Sequence, residues 1–279
     1  MDGREYVPEP KITFVVAVND RDVFEHNFLA SPCLRGPHPH ETLVQEQFVS
    51  APKAYNDAIG RSSNDLIIFC HQDVYLPEGW LEDLRRALDY LDIYDPNWGV
   101  LGCSGMTVDH DHWRYLYSTG LGVSGGPLEH PKPVQTLDEI VLILRKSSGL
   151  RFDEQLPHFH LYGTDICLQA SRRGMKSYAI SAFCIHNTHQ PLVLPPEFYQ
   201  CCKYIRRTWS DCLPIQTTCV RITTYDIPIY ARRLREAYLR YIRRKEFGGT
   251  RVKDVRGLVE DCAQTITAPR LHLGRCERS

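Results

Sequence analysis

The chain has 279 residues, of which 43% are hydrophobic and 24% charged, and a formal net charge of -1. This composition fits a globular protein with a sizeable core and argues against bulk nucleic acid as a partner. No apolar run approaches the roughly 20 residues needed to span a bilayer.

Lys11 to Val18 is a β-branched run that predicts a strand, ending at the polar loop Asn19-Asp20-Arg21. A weaker strand is expected over Glu41 to Val49. A helix follows from Ser50 as N-cap, with Pro52 in its first turn, to Ile59. Leu66 to Cys70 reads as a buried strand that runs into His71-Gln72-Asp73, and Leu76-Pro77-Glu78-Gly79 turns the chain. From Trp80 to Leu91 the leucines at 81, 84, 88 and 91 mark one face of an amphipathic helix. Val100 to Val108 and Val134 to Arg145 read as strands, separated by a glycine- and proline-rich loop or hairpin over Tyr115 to Pro133. A helix over Thr164 to Arg173 stops at Gly174, and a strand over Lys176 to Ile185 ends at His186-Asn187.

Strands alternating with helices predict an α/β fold with a mostly parallel sheet. From about Pro195 the pattern turns helical. Tyr230, Leu234, Ala237, Tyr238, Tyr241 and Ile242 form an apolar stripe within a segment dense in arginine, and Val252 to Ile266 marks a further helix. The arginine-rich helix, residues 230–245, is expected to pack its Tyr/Leu face on the core. A surface for anionic lipid and a homodimer interface are its alternative uses.

The eleven cysteines contain no Cys-x-x-Cys pair. With the polar start from Met1 to Glu9, which is unlike a secretory signal, they predict free thiols and a cytoplasmic setting, with membrane contact only at the periphery of the inner face.

His71-Gln72-Asp73 carries the chemistry. The carboxyl edge of a parallel sheet is where open α/β folds place ligands. A carboxylate there, with an imidazole beside it, suits a divalent cation that holds phosphates. The bland alternative is an acid that caps a turn. The histidine pairs His38/His40, His110/His112 and His158/His160 are read as solvent-facing, and Trp80 as packing.

Four segments, in order, resemble the glycosyltransferase family 2-like enzymes of the GT-A fold over roughly residues 11–190. They are Phe14-Val15-Val16-Ala17-Val18-Asn19-Asp20, then Ala54-Tyr55-Asn56-Asp57-Ala58-Ile59, and then His71-Gln72-Asp73 in the place of an Asp-x-Asp motif. The last runs from Phe152-Asp153-Glu154 through Tyr162-Gly163-Thr164-Asp165-Ile166-Cys167-Leu168 to Cys184-Ile185-His186-Asn187. The His-Gln-Asp form looks closest to a bacterial subgroup.

The resemblance implies a GT-A catalytic domain over 1–190 and a helical extension over 191–279, packed on the core or in an oligomer interface. It implies transfer of a sugar from a nucleotide-diphosphate donor to a hydroxyl of a glycan or lipid-linked acceptor, with inversion. Val18, Asn19, Asp20, Asn56, His71 and Gln72 are then expected at the donor. Asp73 and His186 would ligate Mn2+ or Mg2+. Asp138 would face the donor sugar, with Glu139 beside it. Asp165 would serve either as the base or as a helix cap, with Asp153, Glu154 and His160 in reserve, because glycine stands at position 163 where the family has its base. A nucleotidyltransferase is the alternative enzyme, though the Asn19-Asp20-Arg21-Asp22 loop lacks the glycine a triphosphate cradle needs. A non-catalytic nucleotide- or glycan-binding descendant is the other alternative.

Overall fold

A computed structural model describes residues 11–35 and 40–267. Among these residues, seventeen short strands and seven α-helices follow in chain order. The strands are β1 (Ile12–Ala17), β2 (Glu41–Gln45), β3 (Leu66–His71), β4 (Val74–Tyr75), β5 (Leu101–Gly102), β6 (Ser104–Met106), β7 (His112–Ser118), β8 (Gly122–Gly125), β9 (Lys132–Val134), β10 (Thr136–Leu137), β11 (Val141–Arg145), β12 (Ser177–Ala179), β13 (Cys184–His186), β14 (Gln190–Pro191), β15 (Ile215–Gln216), β16 (Arg221–Ile222) and β17 (Phe247–Gly249). The helices are α1 (Arg21–His26), α2 (Ala51–Arg61), α3 (Trp80–Tyr94), α4 (Tyr162–Arg172), α5 (Pro196–Thr208), α6 (Ile227–Ala237) and α7 (Val255–Thr267).

The fold is mixed α/β. Its main sheet has seven strands in the order β2-β1-β3-β11-β5-β12-β9. Five of them share one direction; β11 and β9 run against it. The apolar runs are continuous because both faces of this sheet are covered. Along β3, Leu66, Ile68 and Cys70 face the core under α1 and α3, whereas Ile67 and Phe69 face the core under α2, α4 and α5. β11 divides in the same way, with Val141 and Ile143 on the first face and Leu142 and Leu144 on the second. A second sheet, β10-β6-β7-β13-β4 with β8 paired to β7, lies under α7, which buries Val255, Leu258 and Cys262 against Tyr75, Tyr115, Phe183 and Ile185.

The expected strand over Val134 to Arg145 is three strands. β9 pairs with β12, β10 pairs with β6, and β11 pairs with β3 and β5, so the run changes sheets twice. Asp138 and Glu139 lie in the second break. Val100 to Val108 and Lys176 to Ile185 each divide between the two sheets for the same reason. The glycine-rich loop is the hairpin β7–β8.

The arginine-rich helix corrects its expected orientation. Ile227, Tyr230, Leu234, Tyr238 and Tyr241 are each 51% to 73% exposed. The opposite face is the one that packs. Buried Glu236 accepts hydrogen bonds from the Leu194 amide (3.3 Å), the Tyr199 hydroxyl and Arg232 Nε (2.8 Å). These three bonds hold the Glu236 face of the helix inward, and the apolar stripe is left outward. Among the described residues, no helix is long and apolar enough to cross a membrane.

Candidate functional site

Ala17 is the register partner of both Gln45 and His71, so the carboxyl ends of three parallel strands lie level. Above them opens a cleft of about 710 Å³, whose lining includes Val18, Asn19, Tyr55, His71, Asp73 and Tyr162. Because β11 is antiparallel to β3, with Val141 opposite Cys70, residues 138–140 reach this same edge. The His71 amide donates to Ile140 O at 3.1 Å.

The turn after β3 divides its work among three side chains. Gln72 ties two loops together: its Oε1 accepts from the amides of Asn19 (3.0 Å) and Asp20 (3.1 Å), and its Nε2 donates to Asn19 Oδ1 (2.6 Å). His71 Nε2 lies 3.1 Å from the Tyr162 hydroxyl. Asp73 is buried, with Oδ1 3.4 Å from His186 Nε2 and Oδ2 accepting from Arg251 Nη2 at 3.1 Å.

His186 reaches Asp73 across 113 residues of chain through strand pairing. β13 lies antiparallel to β4 with His186 opposite Val74, and the Asn187 amide donates to Asp73 O at 2.9 Å. Arg251 arrives from beyond the helical segment. Its Nε donates to Asn187 O (2.9 Å), while Val252 N donates to Asn187 Oδ1 (2.9 Å) and Asn187 Nδ2 to Val252 O (2.8 Å). The approach needs glycine: a Cβ on Gly249 would lie 2.5 Å from Gly120 Cα.

The ligand atoms of His71, Asp73 and His186 all lie within 4.8 Å of one another. Burial works to raise the Asp73 carboxyl, but His186, His71 and Arg251 more than offset it and hold it far below the usual range. Burial works to lower the His186 imidazole, and Asp73 reverses this and raises it. Burial dominates at His71 and lowers it, favouring the neutral ring that can bind a cation. Two imidazoles and one carboxylate are a donor set suited to a divalent transition ion. No other such cluster of three or more His, Cys, Asp or Glu occurs among the described residues.

The remaining candidates take other positions. Asp20 caps α1, its Oδ1 accepting from Val23 N at 3.1 Å. Asn56 latches the 152–154 segment, bonding Phe152 O (2.8 Å), Phe152 N (2.9 Å) and Glu154 Oε1 (3.0 Å). Asp165 is 1% exposed, and its two oxygens accept from Trp209 Nε1 and Gln169 Nε2, both at 2.7 Å; like Asp138 and Glu139, it is not among the residues lining the cleft. Asp138 accepts from Ile140 N (3.3 Å) and the Thr218 hydroxyl (2.6 Å). Asp153 accepts from the Tyr204 hydroxyl (2.5 Å) and Gln155 N (3.0 Å). Trp80 is buried in the core.

Of the paired histidines, His112 bonds Ser104 Oγ (2.9 Å) and His158 bonds Gln200 Oε1 (2.8 Å). His160 packs edge-on to Phe198, and burial lowers it to about 4. His38 lies outside the described residues. Arg251 enters the site without a sequence signal of its own, since an arginine after Gly248-Gly249-Thr250 has no diagnostic spacing; Tyr162 lies in a segment of the resemblance but is not among its expected site residues.

No protein-family model matches the chain. It is 32% identical over 143 residues to a Fuscovulum blasticum protein described as ATP synthase subunits region ORF 6, a match covering 48% of this chain and 55% of that protein. The chain thus spans about half the length of this curated relative. Among solved structures it is similar to S. aureus TarS, with 14% identity, TM-score 0.44, and coverage of 71% of this chain and 39% of that one. It is also similar to the mannosyltransferase PcManGT from Pyrobaculum calidifontis in complex with GDP-Man and Mn2+, with 12% identity, TM-score 0.46, and coverage of 95% and 77%. The inositol-1-phosphate CTP transferase from T. maritima gives 10% identity, TM-score 0.41, and coverage of 71% and 97%.

Proposed function

We propose that this chain is a glycosyltransferase of the GT-A type that transfers a sugar from a nucleotide-diphosphate donor to a hydroxyl acceptor. The observation that carries this reading is the convergence of His71, Asp73 and His186, the first two of which line a cleft above three level strand ends. The nucleoside would lie along Val18 and Asn19, and the diphosphate over Asp73. Asp73 and His186, with His71, would hold a divalent ion, which supplies positive charge to the leaving diphosphate when bound. Arg251 adds a fixed charge to the same end of the cleft. Gln72 keeps the floor rigid by joining the loops after β1 and β3.

A lipid-linked acceptor, met at the surface of an anionic membrane, is the form of this reading that best suits α6. The exposed stripe of α6 and the turn after it presents Ile227, Leu234 and three tyrosines, the two aliphatic side chains each worth roughly 1.5–3 kcal/mol if fully buried. Arg235, Arg243, Arg244 and Lys245 lie along the same segment.

Thermal shift with a panel of nucleoside diphosphates, with and without Mn2+, tests the site. Stabilisation that needs both components is expected, and Asp73→Ala removes it. Indifference to every nucleotide would overturn the reading.

A further inference from the structure

An inverting transfer needs a base at the acceptor hydroxyl. The carboxylates at or near the site are mostly committed elsewhere. Asp73 is paired with His186 and Arg251. Asp138 is held by Ile140 N and Thr218, Asp153 by Tyr204, Glu154 by Asn56, and Asp165 by Trp209 and Gln169. Glu139 differs. No side chain among the described residues hydrogen-bonds to its carboxylate. Its Oε1 accepts from the backbone amide of Gly163, in the first turn of α4, at 3.3 Å.

Topology puts Glu139 at the working edge. It sits in the break between β10 and β11, next to Ile140, whose carbonyl bonds the His71 amide. The Tyr162 hydroxyl joins the two sides: it donates to Glu139 O at 3.4 Å and lies 3.1 Å from His71 Nε2.

Gly163 is what allows this placement. A Cβ there would meet Leu137 O at 2.7 Å and Glu139 Cγ at 3.3 Å. The start of α4 is pressed so closely on β10 that a side chain at 163 would have to displace either backbone or Glu139 itself. The amides and positive end of the helix then stabilise a carboxylate brought in from outside.

We propose that Glu139 is the catalytic base of the transfer, and that Gly163 is the positioning residue that makes room for it. This rests on the glycosyltransferase reading. In the step, the acceptor hydroxyl oxygen forms a bond to the anomeric carbon. The anomeric carbon–oxygen bond to the diphosphate breaks, and the nucleoside diphosphate leaves with the electron pair. The hydroxyl proton passes to a Glu139 carboxylate oxygen. Glu139 therefore supplies from the sheet edge the base function that was one of the two roles expected of Asp165.

The test uses the full chain with Mn2+, a panel of nucleoside-diphosphate sugars, and water as the acceptor, so that release of nucleoside diphosphate is the readout. Donor Kd is measured by calorimetry on the same samples. Glu139→Gln, nearly isosteric, is expected to bind donor within twofold of wild type while release falls about a hundredfold or more, the usual range for loss of a general base. Glu139→Asp is expected to recover part of that loss. Gly163→Ala is expected to lower kcat with donor Kd unchanged. Wild-type turnover together with unaltered release by Glu139→Gln overturns the assignment of Glu139 alone. Absence of donor binding by the wild type overturns the underlying reading and the assignment with it.

Discussion

At the scale of single residues, the site is a set of charges whose protonation the fold has already biased. Burial, with Asp138 second, lifts the Glu139 carboxyl to about 8, against backbone amides of Gly163, Glu139 and Leu161 that pull it down. A base works in its ionised form, so the active fraction is small below pH 7 and grows as pH rises through about 8. Donor turnover is therefore expected to climb through that range to a plateau, and Glu139→Gln to flatten the limb. A wild-type profile that is level from pH 6 to 9 would contradict this. Asp73 has the opposite bias. It stays ionised far below the usual carboxylate range, so its protonation would not limit cation binding near neutrality. Its competitor is Arg251. Arg251→Ala removes a guanidinium 3.1 Å from Asp73 Oδ2. Mn2+ binding should tighten severalfold in calorimetry, since a like charge beside the ion is lost; unchanged or weaker binding would show that the guanidinium does not compete.

At the scale of elements, the segment of greatest consequence outside the sheets is α6 with its π-helical continuation, Tyr238–Ile242. Its polar face is anchored through Glu236, and its apolar face points away from the core. Co-sedimentation with vesicles containing anionic lipid is expected for the wild type and weak with neutral vesicles. The double variant Leu234→Glu/Tyr241→Glu should lose most of this binding while keeping its Tm, because both positions are exposed. A chain that ignores anionic vesicles, and runs as a dimer that the same variant dissociates, would assign the stripe to a second copy instead. Core strands behave differently. Leu142→Ala in β11, fully buried between β3 and β5, should cost about 2–5 kcal/mol in denaturant unfolding.

At the scale of the whole molecule, the central strands could be read from the sequence because they are buried on both faces. Ile67-Ile68-Phe69-Cys70 is an unbroken apolar run that only a doubly covered strand makes sense of. The meeting of Asp73 with His186 was legible too, through the order of the motifs. What was not legible depended on sheet membership and on orientation. Nothing in Val134 to Arg145 marks the two places where the chain changes partner, so Glu139 looked like part of a strand rather than the corner that faces α4. Asp165 sits at the right spacing for a helix start, yet its direction is set by Trp209, 44 residues later. The stripe on α6 resembles a core face because periodicity records amphipathicity but not which side is inward; the face that packs carries the buried Glu236. Arg251 carries no local pattern at all, and strand pairing between β14 and β17 delivers it.

The backbone contact between Gly120 and Gly249 has a consequence for how this site tolerates change. Gly249 lies two residues before Arg251 and directly against the turn of the β7–β8 hairpin, with no room for a methyl group. Alanine at 249 would act as a wedge under the segment, lifting the guanidinium away and removing one positive charge from beside Asp73. A substitution that carries no charge would thus be felt by the site as an electrostatic one. The two glycines set the cleft's local charge as firmly as the ionisable side chains that line it.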